Sequence, residues 1–223
     1  MDHEQNGKTF TVSRQVKSRL PRYYRYLKEL LDQGIFRISS SALAKMMGLT
    51  ASQIRQDLNC FGGFGQQGYG YNVKFLFSQI SEILGVNDKF RAILIGMGNL
   101  GRAMAASNVF LSRGIDLVAL FDKNPMIIGK TLAGRTIYDA KKLSSFCAEN
   151  QVDIAVLTLT SSEAVAISEE LKGCGIKGIW NFTNVEIPSS DEVSVMNMYL
   201  GDSLMQLCFD VRNKDGKTLE ETE

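Results

Sequence analysis

Apolar residues recur three and four apart through VKSRLPRYYRYLKELLDQG, where Tyr23, Tyr26, Leu27, Leu30 and Leu31 share one face, so a helix is predicted that Gly34 stops. Pro21 is expected in its first turn, where a missing N–H is tolerated. The next stretch, ISSSALAKMMGLTASQIRQDLNCFGG, predicts a short helix capped by Ser39, with Leu43, Met46 and Met47 inward and Gly48 at its end. Thr50 and Gln53 then have the form of a capping box opening a second helix. Ile54 and Leu58 form its inward stripe, leaving Ser52, Gln53, Arg55, Gln56 and Asn59 outward. GGFGQQGYGYNV, rich in Gly and Tyr, follows as a hairpin with Gln66 and Gln67 at its tip. Two short helices about a glycine turn, then a hairpin, predict a winged helix.

The pattern changes near residue 90. FRAILIGMGNLGRAMA reads as an apolar strand (Ile93 to Ile95), a glycine turn and a helix, and DLVALFDKNP as a second strand. A helix around Ala140–Asn150, the strand VDIAVLTLT, a helix from Ser162 to Cys174 and the strand GIKGIWNF complete the alternation. Continuous apolar strands alternating with helices predict a doubly wound parallel sheet with both faces covered. Trp180 is placed in its core rather than against a ligand. After Pro188 a short strand (Val193, Val195) leads into a helix with Leu200, Leu204, Leu207, Cys208 and Val211 on one face. That face either covers its own domain or packs on a partner subunit. The predicted class is α/β: a winged-helix domain over 1–86, a Rossmann-type domain over 87–190, and a C-terminal strand and helix over 191–223.

Charge sharpens the division. Residues 1–85 hold 11 Lys+Arg against 6 Asp+Glu, and residues 86–223 hold 14 against 18, so a net +1 conceals halves of +5 and −4. Seven cations (Lys8, Arg14, Lys17, Arg19, Arg22, Arg25, Lys28) fall in the first 28 residues, as expected of a basic segment facing phosphates or of a solvated helix face. With the outward Ser52, Gln53, Arg55 and Gln56, and with Gln66, Gln67 and Tyr69 on the wing, they point to double-stranded DNA read in the major groove. Ser52 and Gln53 could equally serve only as capping groups.

In the second half, Gly96, Gly98 and Gly101 have the GxGxxG spacing. The first glycine makes the turn, the second admits a pyrophosphate, and the third lets helix and strand approach. Met97, Asn99 and Leu100 complete the turn, and the helix start offers free N–H groups to an anion. Asp122 ends the second strand, where a carboxylate accepts ribose hydroxyls and repels a 2′-phosphate, so NAD(H) is preferred to NADP(H); Lys123 softens that repulsion only partly. Thr158, Leu159, Thr160 and Asn181 stand at strand ends beside the expected cofactor.

With 44% hydrophobic and 22% charged residues, the composition is that of a folded protein. It lacks an apolar run long enough to span a bilayer and a cationic-then-apolar leader, so a cytoplasmic location is expected. The four cysteines form no CxxC pair and the one histidine, His3, is near the start, which disfavours a metal site and histidine-based catalysis. A small NAD-dependent dehydrogenase would need an acid/base group at the nicotinamide. Tyr138 and Lys142 have a YxxxK spacing but lie on the adenosine side, as a chance match. A CoA-type ligand on a non-sensing DNA binder is a third alternative.

Over nearly its whole length, in RLPRYYRYLKELL, RISS, TASQIRQDLNCFGGFGQQGYGYNV, GMGNLG, FDKNP and GIKGIWNF, the chain resembles the Rex family of redox-sensing repressors, in its clostridial branch. The resemblance implies a homodimer that binds an AT-rich palindromic operator and is released when NADH, in competition with NAD, closes it, with a C-terminal helix swapped into the partner. It places switch and dimer roles at Arg25, Ser107, Tyr199 and Leu200. At the last three the family commonly carries Tyr, Asp and Phe, so a repressor with an altered or lost NADH response stands as the alternative.

Overall fold

The Ser13 hydroxyl accepts a bond from the Val16 N–H and so opens α1, Arg14–Asp32. Here and throughout, the protein is described from a computed structural model over residues 13–60, 65–66 and 70–214. The chain divides into two units at Asp88/Lys89.

In the N-terminal unit, Val16, Leu20, Tyr23, Tyr24, Leu27 and Leu30 form the buried stripe of α1. Pro21 lies in the interior of the helix rather than in its first turn. It is tolerated because it and Lys17 both face solvent, where water can meet the Lys17 carbonyl that Pro21 leaves without a donor. β1 (Arg37–Ile38) leads to α2 (Ser40–Met47), capped by Ser39 and stopped at Gly48 in the left-handed conformation, φ 64°. The Thr50–Gln53 capping box forms and opens α3, Ala51–Asn59. β2 (Gly65–Gln66) and β3 (Gly70–Asn72) pair antiparallel, and β1 joins them in the order β1-β3-β2. Gly70 combines φ 70° with a close approach, since a Cβ there would lie 2.6 Å from the Ile38 carbonyl oxygen. These elements make a winged helix. A further helix, not among those expected, is α4 (Val73–Ile83), which starts at once from an Asn72 cap and packs Phe77 on Tyr24 with ring centroids 4.9 Å apart.

A carboxylate is sealed in this core. Asp57, on the inner face of α3 and 2% exposed, accepts from Arg19 Nε and Nη2 at 2.7 Å each and from the Tyr23 hydroxyl at 2.9 Å. The bond to Asp57 raises the Arg19 pKa, while burial and that same carboxylate push the Tyr23 phenol far above its usual value. Both groups stay protonated at any ordinary pH.

The second unit is built on a sheet ordered β10-β9-β8-β4-β5-β7-β6. Its strands are β4 (Arg91–Ile95), β5 (Asp116–Asp122), β6 (Thr131–Leu132), β7 (Arg135–Asp139), β8 (Ile154–Leu157), β9 (Gly178–Asn181) and β10 (Ser194–Asn197). All pairs are parallel except the β6–β7 hairpin at the edge. Helices α5 (Asn99–Ala106), α6 (Leu143–Glu149) and α7 (Ser161–Gly173) follow β4, β7 and β8. Two apolar clusters lie on the sheet, one including Ile93, Ile95, Ala119 and Phe121, the other Ala92, Leu94, Leu117 and Leu120. Successive residues of β4 serve opposite faces, β5 does the same after a register shift at Val118, and the order reverses between β4 and β8, the switch point of a doubly wound fold. The β5-to-β7 connection contains no helix. Trp180 is half-buried, edge-on to Phe110 and Phe182. Tyr138, on β7, packs with Phe121 and Phe146, so it is a sheet-face residue, and Lys142 is the residue before α6.

The final helix, α8 (Leu200–Lys214), has no buried residue; Leu200, Leu204, Leu207, Phe209 and Val211 are 45–61% exposed. It does not cover its own domain. No helix among the described residues is long and apolar enough to cross a membrane.

Replacing Arg19 by Met is expected to destabilise the N-terminal unit by about 3 kcal/mol, because the Asp57 charge stays buried without its cation. Urea unfolding followed by circular dichroism checks this, and adding Asp57→Asn should restore part of the loss.

Candidate nucleic-acid interface and nucleotide cleft

Burial of Ile54, Asp57 and Leu58 turns the opposite side of α3 to solvent, and Ser52, Gln53, Arg55, Gln56 and Asn59 are all exposed. Gln53 also caps its own helix, since its Oε1 accepts from the Thr50 N–H at 2.9 Å and its backbone N–H donates to the Thr50 hydroxyl at 3.1 Å. Its amide nitrogen stays available for a base edge. Arg55 reaches across to α2, donating to the Ser40 hydroxyl at 3.2 Å, an exposed contact that a phosphate or guanine edge can displace. The backbone of Gln66 lies in β2; Gln67 and Tyr69 fall outside the described residues.

The basic run is divided between packing and surface roles. Arg19 is neutralised by Asp57, and Arg22 donates to the Met47 carbonyl, tying α1 to the end of α2. Lys28 pairs with Asp32 at 3.8 Å on the helix surface, and the Arg25 guanidinium stands 5.4 Å from the Tyr26 ring centre. Lys8 lies outside the described residues. Arg14 and Lys17 remain exposed.

In the second unit the turn after β4 is held by close approach. Gly96 has φ 101°, and a Cβ there would lie 2.5 Å from the Thr158 carbonyl oxygen. A Cβ on Gly101 would collide with the Gly96 carbonyl oxygen and stand 2.7 Å from Thr158 Oγ1. Gly98 differs: its Cβ would meet no protein atom within 4 Å. Open space therefore lies beside it, the condition that the middle glycine of a dinucleotide motif requires. The Thr158 hydroxyl donates to the Gly96 carbonyl at 2.7 Å, locking β8 to the turn. Asp122 accepts from the Met97 N–H at 2.6 Å and the Asn124 N–H at 2.8 Å, one bond to each oxygen, which leaves both oxygens further acceptor capacity. The first N–H groups of α5, at Asn99, Leu100 and Gly101, have no acceptor within the helix.

These groups surround a cleft of about 190 Å³ lined by Ile95, Gly96, Gly98, Asp122, Lys123, Thr158, Leu159 and Thr160, together with Ala140, Glu163 and Ile167. The last three carried no motif signal, since only the crossover of β8 into α7 brings Glu163 opposite Lys123. Met97 contributes backbone alone, its side chain being 3% exposed, and Leu100 packs on the same core. The Asn99 side chain faces solvent, accepting from Arg102 at 3.2 Å. Asn181 stands apart: fully buried, it donates to the Val185 carbonyl and Asn197 and accepts from Thr183, so its amide is spent inside the fold. Ser107 ends α5 and donates to the Met104 carbonyl at 2.8 Å. Tyr199 directly precedes α8; partial burial, Glu186 and Asp202 raise its phenol pKa. Among the described residues no three His, Cys, Asp or Glu side chains are placed to hold a metal.

Two sequence families match the chain, "Putative DNA-binding protein N-terminus" over residues 11–59 and "CoA binding domain" over residues 87–185. A winged helix with a polar recognition face, joined to a glycine-turn nucleotide cleft, defines the class of ligand-responsive transcriptional regulators. The redox-sensing transcriptional repressor Rex of Clostridium botulinum (strain Alaska E43 / Type E3) is 45% identical over 207 residues, 93% of this chain and 99% of that protein. The structure of RSP in complex with β-NAD+ and operator DNA superposes with TM-score 0.87 at 42% identity, covering 95% of this chain and 100% of that one; RSP with β-NADH gives 0.84 at 40%, covering 93% and 97%. The chain belongs to the Rex family of redox-sensing transcriptional repressors.

Gly101→Ala is expected to cost about 1–3 kcal/mol of stability, the size of an overpacked contact. A lowered urea midpoint for the C-terminal unit checks it. Gly98→Ala, which meets no protein atom, should leave that midpoint in place.

Proposed function

We propose that this chain acts in the cytoplasm as a homodimer that represses transcription from an AT-rich palindromic operator, and that NADH in its glycine-turn cleft releases it while NAD leaves it bound. The observation that carries this reading is the pairing, in one chain, of the exposed Arg55 face of α3 with a cleft whose middle glycine leaves ligand-sized room. The former suits DNA and the latter a pyrophosphate. Release then follows from linkage: NADH must favour a dimer conformation that holds DNA poorly, and DNA must weaken NADH binding by the same factor.

On the cofactor, Asp122 carries the choice of an unphosphorylated ribose, and the α5 N–H groups carry the pyrophosphate. Thr158, Leu159 and Thr160 line the way from the turn toward β8. The wing, with Gln66, Gln67 and Tyr69, contacts DNA beside the groove that Ser52, Gln53, Arg55 and Gln56 read. Two half-sites need two copies, and α8 supplies the means: its uncovered Leu200, Leu204, Leu207 and Val211 find cover on a second chain. Arg25, Ser107, Tyr199 and Leu200 take the switch and dimer positions.

Fluorescence anisotropy of a labelled palindromic duplex tests the reading. Binding should persist with NAD and be lost as NADH is titrated in; DNA affinity indifferent to both nucleotides would overturn it. Arg55→Ala should weaken operator binding by roughly 1–3 kcal/mol, the size of a lost base or phosphate contact. In the same assay Gly98→Val should bind operator yet ignore NADH, because its side chain fills the pyrophosphate space and leaves α3 untouched.

A further inference from the structure

The adenosine end of the cleft holds an ion pair that the dinucleotide motif does not require. Lys123 follows Asp122 at the end of β5, and its Nζ lies 2.8 Å from Glu163 Oε1 on α7. The other oxygen of Glu163 accepts from the Thr160 hydroxyl at 2.6 Å. Lys123 and Thr160 hold the Glu163 carboxyl below its usual range, so it is an anion at neutral pH.

Lys123 is the one cation lining the cleft among the described residues. A ribose bonded through its hydroxyls to Asp122 brings its 2′ position beside the next residue, which is Lys123. A cation at such a place is what dinucleotide folds use to accept a 2′-phosphate. The first turn of α7, behind Thr160, adds a partial positive charge that favours an anion. Glu163, third residue of that helix, already occupies both: its carboxylate is the anion at the helix start and the partner of the lysine.

We propose that Glu163 is a specificity residue of the cleft, which by pairing with Lys123 withholds the site's cation from a ribose phosphate and confines the cleft to unphosphorylated dinucleotides. This rests on the NAD(H) reading above. Asp122 repels the phosphate directly; Glu163 acts by removing the group that would offset the repulsion. With Glu163 in place, a 2′-phosphate meets two carboxylates and a lysine already engaged.

The test compares NADH and NADPH binding, followed by nucleotide fluorescence, in the wild type, Glu163→Gln, Glu163→Ala and Glu163→Gln/Lys123→Met, with operator binding as the check that each variant folds. Removing the charge in either single variant should raise NADPH affinity relative to NADH roughly tenfold, as expected when a released cation meets a phosphate dianion. In the double variant the ratio should return toward that of the wild type. An unchanged ratio in both single variants, or a rise that survives loss of Lys123, overturns the proposal. A wild type that binds neither nucleotide overturns the NAD(H) reading itself, and with it this inference.

Discussion

In the nucleotide-binding unit, α5 and the end of β8 both press on the carbonyl oxygen of Gly96. Gly101 approaches it from α5 and the Thr158 hydroxyl donates to it from the end of β8, so two strands and a helix meet at one carbonyl. Asp122, bonded to the Met97 N–H, closes the turn from the third side. Because this knot is so tight, the start of α5 is held against the ends of the parallel strands, next to the Gly98 edge of the cleft. Gly98, next in the turn, is free of the crowding and gives the room that the crowding defines.

The N-terminal unit meets a comparable demand by other chemistry. A helix that is to present a fixed polar face must be held in place, and α3 is only Ala51–Asn59, too short to be stable alone. Two buried apolar residues, Ile54 and Leu58, press it inward, and Asp57 between them fixes its rotation through the fork of Arg19 and the Tyr23 hydroxyl. Apolar contacts tolerate small rotations; a two-pronged guanidinium–carboxylate pair does not. The register of the exposed polar side chains is therefore set from inside the domain.

Much of this is legible in the chain itself. Strands β4, β5, β8 and β9 are continuous apolar runs because both faces of the sheet are covered, and the capping residues Ser39 and Thr50 with the stop at Gly48 mark α2 and α3. The features that the residue pattern hides share a physical cause. β7, beside the sheet edge, alternates Thr136 and Tyr138 with buried Ile137, so it lacks the apolar run of a central strand. α4 begins at Asn72, which is also the last residue of the wing, so no break announces it, although Val73, Leu76 and Ile80 keep helical spacing. Asp57 resembles one more outward polar residue until its partners on α1 stand beside it. Asn181 does end its strand, but its amide turns inward to Thr183, Val185 and Asn197, a choice that strand patterning does not encode. Glu163 and Lys123 are joined only by topology.

The division of labour among the N-terminal arginines bears on how binding responds to salt. Ionic strength weakens a protein–DNA complex in proportion to the number of phosphates whose condensed counterions the protein displaces, not to its formal charge. A guanidinium locked onto Asp57 displaces none, and one bonded to the Met47 carbonyl is not free to roam the backbone. The crowded cationic stretch around α1 thus serves the fold in part, and fewer of its arginines are left to meet a polyanion than its formal charge implies.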